Sequence, residues 1–159
     1  MNSVIPIQEL ASRWDRCKNL LQQFIPQAQG ILVFSRLNIY YFSGSFASGV
    51  FWLPLSGEPI LLCRRGDERA KIESPVNHIY SFRSYSDIET ILNDLGFSLP
   101  KLVAAEMNGL SGALSNSLIK HLPAHQFVTA DRIIGMCRAK SQIGNSISCE
   151  KQAPDMQDV

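Results

Sequence analysis

No stretch of this sequence reaches the roughly 18–20 uninterrupted apolar residues that a bilayer-crossing helix needs. Met1 to Ile7 holds neither the basic start nor the apolar run of a secretory signal. A soluble, cytoplasmic protein is expected. An excess of one charge sign is lacking too: 15 basic residues stand against 14 acidic ones, with no sizeable block of either. That balance gives no electrostatic footprint for nucleic acid or an anionic membrane. The four cysteines, Cys17, Cys63, Cys137 and Cys149, are widely spaced and include no Cys-x-x-Cys pair. A chain of 159 residues that is 45% hydrophobic builds one core without disulfide staples, so reduced, mostly buried thiols are expected.

Catalytic signatures are equally sparse. Of the three histidines, His121 and His125 are separated by Leu-Pro-Ala. Pro123 breaks the helix that would put both rings on one face, and no glutamate lies between them. They read as a solvent-facing helix end, and His78 reads as a structural residue at the start of a strand. Ser43-Gly44-Ser45 lacks the leading glycine of a nucleophile elbow, and Gly44 to Gly49 lacks the Gly-Lys-Ser/Thr ending of a phosphate loop. Glu106 and Arg83 are lone charges at strand ends, expected to be paired or solvated.

What the chain does have is periodicity. Leu10, Trp14, Cys17, Leu20, Leu21 and Phe24 recur at three- and four-residue steps, which predicts an amphipathic helix from Pro6 to Phe24, ended by Pro26. Short runs of strand formers follow at Ile31 to Phe34, Ile39 to Phe42, Val50 to Leu55 and Pro59 to Cys63, the last two joined by a glycine-containing hairpin turn. Further on, helix-competent segments (Gly66 to Ile72, Ser86 to Leu95, Ser111 to His121) and a short helix or turn from Asp131 to Arg138 alternate with strands at His78 to Phe82, Lys101 to Ala105 and Gln126 to Val128. Ser86-x-x-Glu89 reads as a capping box. An α/β fold is expected: three layers, with a mixed β-sheet covered by helices on both faces.

Asn38-Ile39-Tyr40-Tyr41-Phe42-Ser43-Gly44 resembles the Asn-Ile-x-Tyr-Leu-Thr-Gly-Phe segment of the N-terminal domain of the creatinase and Xaa-Pro aminopeptidase/prolidase (M24-type metallopeptidase) family. Phe42 stands for the usual Leu and Ser43 for Thr. The resemblance extends from Glu9-Leu10-x-x-Arg13 through Gly57-Glu58-Pro59 and Ala105-Glu106. It ends at Arg138-Ala139-Lys140-Ser141, which is similar to the family's Arg-x-x-Lys-Ser junction with one residue missing. Gly144, Ser146 and Pro154 depart from the acidic helix that follows in the family.

The resemblance implies a creatinase-type N-terminal domain over residues 1–137, with 138–159 as a linker or the start of a C-terminal catalytic domain missing here. The implied function is noncatalytic: an accessory domain of a Xaa-Pro dipeptidase or aminopeptidase that aids dimerisation and substrate access. Divalent metal ions and their ligands belong to the missing domain, so no cofactor and no catalytic residue is assigned to this chain. Its implied partners are its own catalytic domain and a second copy of itself. A loop after the Asn-Ile-x-Tyr segment, by position Ser43 to Ser48, would lean toward the neighbouring subunit's active site. Tyr41, Ser45 and Phe46 are the substrate-gating candidates, with Phe46 as an apolar wall that restricts access to short peptides. Two alternatives remain open: a stand-alone protein-interaction module, and an accessory domain of a creatinase-like amidinohydrolase.

Overall fold

The computed structural model describes residues 4–139. Lys140, Ser141, Gly144, Ser146, Cys149 and Pro154 lie outside the described residues, and so does nearly all of the expected linker. Chain order is α1 (Ile7–Phe24), β1 (Gly30–Val33), α2 (Arg36–Ser43), β2 (Ser48–Pro54), β3 (Ile60–Arg65), α3 (Asp67–Glu73), β4 (His78–Ser81), α4 (Ser86–Asp94), β5 (Leu102–Ala105), α5 (Gly112–His121) and β6 (Gln126–Thr129). A terminal helix covers residues 131–139.

The six strands form one sheet in the order β4-β3-β2-β1-β5-β6. β2 runs antiparallel to both β1 and β3, while the β1/β5, β3/β4 and β5/β6 pairs are parallel. The glycine-containing hairpin is therefore present. Because side chains alternate across a strand, Ile31, Val33, Phe51, Leu53, Leu61 and Cys63 join one buried cluster with Leu21 of α1, Phe42 of α2 and Ile133 of the terminal helix. Leu32, Trp52 and Leu62 join the other, with Ile88 of α4 and Leu118 of α5. Each such side chain, fully buried, contributes about 1.5–3 kcal/mol. The three-layer mixed α/β architecture is thus the observed one.

The segment expected to be a strand at Ile39 to Phe42 is helical instead, the middle of α2. Its residues are strand formers, but propensity yields to capping and packing here. The Ser35 hydroxyl accepts from the Asn38 amide at 3.2 Å, and Gly44, at φ +83°, closes the helix in a left-handed conformation that L side chains rarely adopt. Ile39 and Phe42, one turn apart, are fully buried on the sheet.

The capping box is also replaced. Ser86 is already helical in α4, and Glu89 reaches away to His125. The Asp87 carboxylate holds the preceding turn by accepting from the Arg83 and Ser84 amides at 2.9 and 3.0 Å. Those two amides hold its pKa below the usual carboxylate value, with a smaller contribution from the Arg83 charge. A depressed folded-state pKa means that the stabilisation is present above the ordinary value and is lost as the pH falls through the depressed one. Asp87→Ala is expected to cost about 0.5–1 kcal/mol near neutrality, since the carboxylate is solvent-screened. The cost should disappear under strong acid; urea titrations at neutral and acid pH that show the same deficit would contradict this account.

Candidate functional site

The sheet's carboxyl edge is organised by one buried acid. Glu106 follows β5, is 5% exposed, and points across the sheet at the turn between β1 and α2. Its Oε1 accepts from the amides of Phe34 and Ser35, each at 2.8 Å, and its Oε2 accepts from the Asn38 side-chain amide. The Asn38 Oδ1 in turn accepts from Arg138 Nη1 of the terminal helix at 2.7 Å. Glu106 was expected to be paired with a cation or solvated. It is neither, because two main-chain amides and one carboxamide meet the hydrogen-bonding need of the buried charge. A Cβ on Gly109 would lie 2.7 Å from Glu106 Oε1, so only glycine leaves room for this carboxylate.

Tyr41, one of the three gating candidates, lies on the side of α2 that meets α1 and the terminal helix. The Arg13 guanidinium sits 4.5 Å from its ring centroid and that of Arg138 5.6 Å. Arg13 also donates to the Tyr41 carbonyl, and Arg16 donates to its hydroxyl. Beneath it Cys17 and Cys137 are both fully buried. The Cys137 thiol is drawn below its ordinary value, first by the neighbouring Cys17, against the opposing effect of burial, and then by Tyr41 and Arg16. The same contact, with burial, pushes Cys17 well up. Cys63, a residue of β3, is fully buried, and its thiol is raised to about 11 by that burial and by Asp67. All three described cysteines are free thiols.

Ser45 and Phe46 lie on the expected loop. Ser45 is buried, and its hydroxyl donates to Glu73 of α3 at 2.9 Å, fastening the loop to the next layer. Phe46 is half exposed and stacks flat on Tyr40, with centroids 4.1 Å apart and planes 9° off parallel. Arg36 donates through Nε and Nη2 to the Phe46 carbonyl. The structure therefore brings Ser45 and Phe46 together at the tip and sets Tyr41 apart, among the arginines of α1 and the terminal helix.

No group of three or more His, Cys, Asp or Glu side chains that could hold a metal ion occurs among the described residues. The paired histidines separate. His121 is exposed at the end of α5, as expected, and its ring nitrogen faces the Ser117 carbonyl. His125 was expected at the same solvent-facing end, but its side chain is only 5% exposed. It lies past the helix end, beyond Pro123, and the Nδ1 and Nε2 of His125 reach the Pro100 carbonyl at 2.8 Å and Glu89 at 2.9 Å.

Residues 13–140 match the family model of the Creatinase/Prolidase N-terminal domain. The chain belongs to this family. The match takes in the Asn38 to Gly44 segment and the Glu106 network. Solved structures agree on the creatinase-type fold. A proline dipeptidase from Streptococcus agalactiae 2603V superposes with a TM-score of 0.63 at 19% identity, covering 79% of this chain and 97% of that one. A Xaa-Pro aminopeptidase from Streptococcus thermophilus gives 0.62 at 17%, covering 81% and 98%. Against the Xaa-Pro dipeptidase from Bacillus anthracis the score is 0.62 at 13%, covering 79% of this chain but only 34% of the other. The chain thus spans about a third of that dipeptidase. No curated protein sequence matches this one significantly.

Within this creatinase-type domain, the resemblance noted in the sequence included Asn38 and Glu106 as separate motif positions. Sequence reasoning did not join them, nor did it link Arg138 to either.

Proposed function

We propose that this chain is the noncatalytic N-terminal domain of a cytoplasmic Xaa-Pro dipeptidase or aminopeptidase. In this reading the creatinase-type domain, residues 1–137, packs against a metal-dependent catalytic domain that follows it, takes part in a homodimer, and shapes access of proline-containing peptides to the neighbouring subunit's reaction centre. The supporting observation is that the chain aligns with about a third of a Xaa-Pro dipeptidase from Bacillus anthracis. The metal and the hydrolytic residues then belong to the part of the parent enzyme outside the match.

The loop geometry suits the gating role. Ser45 is tied to Glu73 and Arg36 clasps the Phe46 carbonyl, so the Phe46 ring is presented on a braced tip rather than a floppy one. Stacking on Tyr40 orients the ring without a polar partner. Tyr41 contributes from behind, securing α2 to α1 through Arg13 and Arg16.

In the full-length parent enzyme, Phe46→Ala is expected to leave folding intact, because the side chain is half exposed, and to raise kcat/KM for tripeptides relative to dipeptides several-fold. Steady-state kinetics on a peptide-length series provides the check. An unchanged length preference would remove the gating role, and hydrolysis of a Xaa-Pro dipeptide by the purified chain alone would overturn the accessory reading.

A further inference from the structure

A pocket of about 360 Å³ opens at the sheet's carboxyl edge between the Phe46 loop and α3. Ligands of open α/β sheets collect at the carboxyl ends of their strands. Its charged lining is three arginines, Arg36, Arg65 and Arg69, against one glutamate, Glu73. The concentration is local, since the whole chain carries a formal net charge of only +1. Strand alternation separates two neighbours: Arg64 leaves β3 toward the other face and stacks over Phe82 and Tyr85, whereas Arg65 turns into the pocket.

The pairing within the pocket is incomplete. Glu73 accepts from Ser45 through Oε1 and from Arg69 Nε through Oε2 at 3.3 Å, so its charge is already engaged. Arg36 spends Nε and Nη2 on the Phe46 carbonyl, a neutral acceptor. Neither Arg36 nor Arg65 has a carboxylate partner among the described residues. Three guanidinium groups around one concavity repel each other, and a bound anion relieves that repulsion. Guanidinium forks are suited to oxyanions, to which they donate parallel charge-assisted hydrogen bonds.

We propose that this pocket binds a doubly charged oxyanion, a phosphate group or a dicarboxylate, held by Arg36, Arg65 and Arg69 beside the Phe46 ring. The three cations less Glu73 leave an excess of two positive charges, which a dianion balances. This goes beyond the accessory reading and does not depend on it, because the site is complete within this chain.

The test is titration of the purified chain with inorganic phosphate, with phenyl phosphate and with succinate, at constant ionic strength and with chloride as the control, followed by NMR at the arginine side chains and the Ser48 and Gly66 amides. Saturable shifts confined to this pocket are expected. Arg65→Gln should weaken binding about tenfold, the loss of one charge-assisted contact, and Arg69→Gln similarly; both side chains are exposed, so neither variant threatens the fold. Saturation by the phosphates alone identifies a phosphate site; saturation by succinate as well identifies a general dianion site. Shifts that fail to saturate, spread over all surface arginines, or persist unchanged in Arg65→Gln overturn the proposal.

Discussion

Replacing Glu106 by alanine is expected to destabilise the domain by about 3 kcal/mol, among the largest effects of any polar substitution in it. The variant leaves the Phe34 and Ser35 amides and the Asn38 carboxamide without their acceptor in a space that is 5% exposed. Hydrogen bonds to a charged acceptor contribute roughly 1.5–3 kcal/mol each, and a buried donor stripped of its partner bears the full desolvation penalty. The removed carboxylate offsets part of this, because its own burial was costly. Glu106→Gln separates charge from geometry. Its amide oxygen still accepts from both backbone amides, but its NH2 group then faces the NH2 of Asn38. Flipping Asn38 cures that clash and creates another, because the Asn38 amide would point at Arg138 instead of accepting from it. Either way the relay breaks at one joint. Thermal melts of both variants, with hydrogen exchange of the terminal helix, provide the measurement. Melting points within about 2 °C of the parent for both would show that Glu106 does not organise this edge.

The second large effect belongs to Phe42. Its ring is fully buried and lies parallel to Phe51, with centroids 5.9 Å apart, and its carbonyl accepts from the Trp14 indole at 2.7 Å. Phe42→Ala removes most of a ring from the layer between α2 and the sheet, and such truncations cost about 3–5 kcal/mol. Leucine occupies this position in the related motif, so Phe42→Leu tests shape rather than bulk, and about 1–1.5 kcal/mol is expected. Guanidinium unfolding should show both variants with lowered midpoints and an unchanged slope. A loss below about 1 kcal/mol for alanine would mean that α2 is not seated as described.

These two residues also mark where the sequence was legible. Phe42 could be recognised as a core residue by its hydrophobicity, yet its element was misjudged, because Ile39-Tyr40-Tyr41-Phe42 is composed of strand formers. The available signal was the pair of caps, Ser35 and Gly44, which bracket a helix of eight residues. α1 was plain because its stripe runs over many turns, and the β2/β3 hairpin because its turn carries Gly57. The Glu106 relay was not legible as a unit. Its members are 68 and 100 residues apart, and only the parallel pairing of β1 with β5 brings them to one edge. His125 was misplaced for a similar reason, since its two partners come from α4 and from the chain before β5.

The sheet's borders carry a consequence for assembly. β4 and β6, which flank it, are four residues each, too short to offer a foreign strand more than a few main-chain hydrogen bonds. Continuous sheet extension across two copies is therefore a poor route to a pair. In the homodimer proposed above, the contacts would then be built from side chains on helices and loops, so substitutions there, rather than prolines along the rims, are the ones expected to separate two copies.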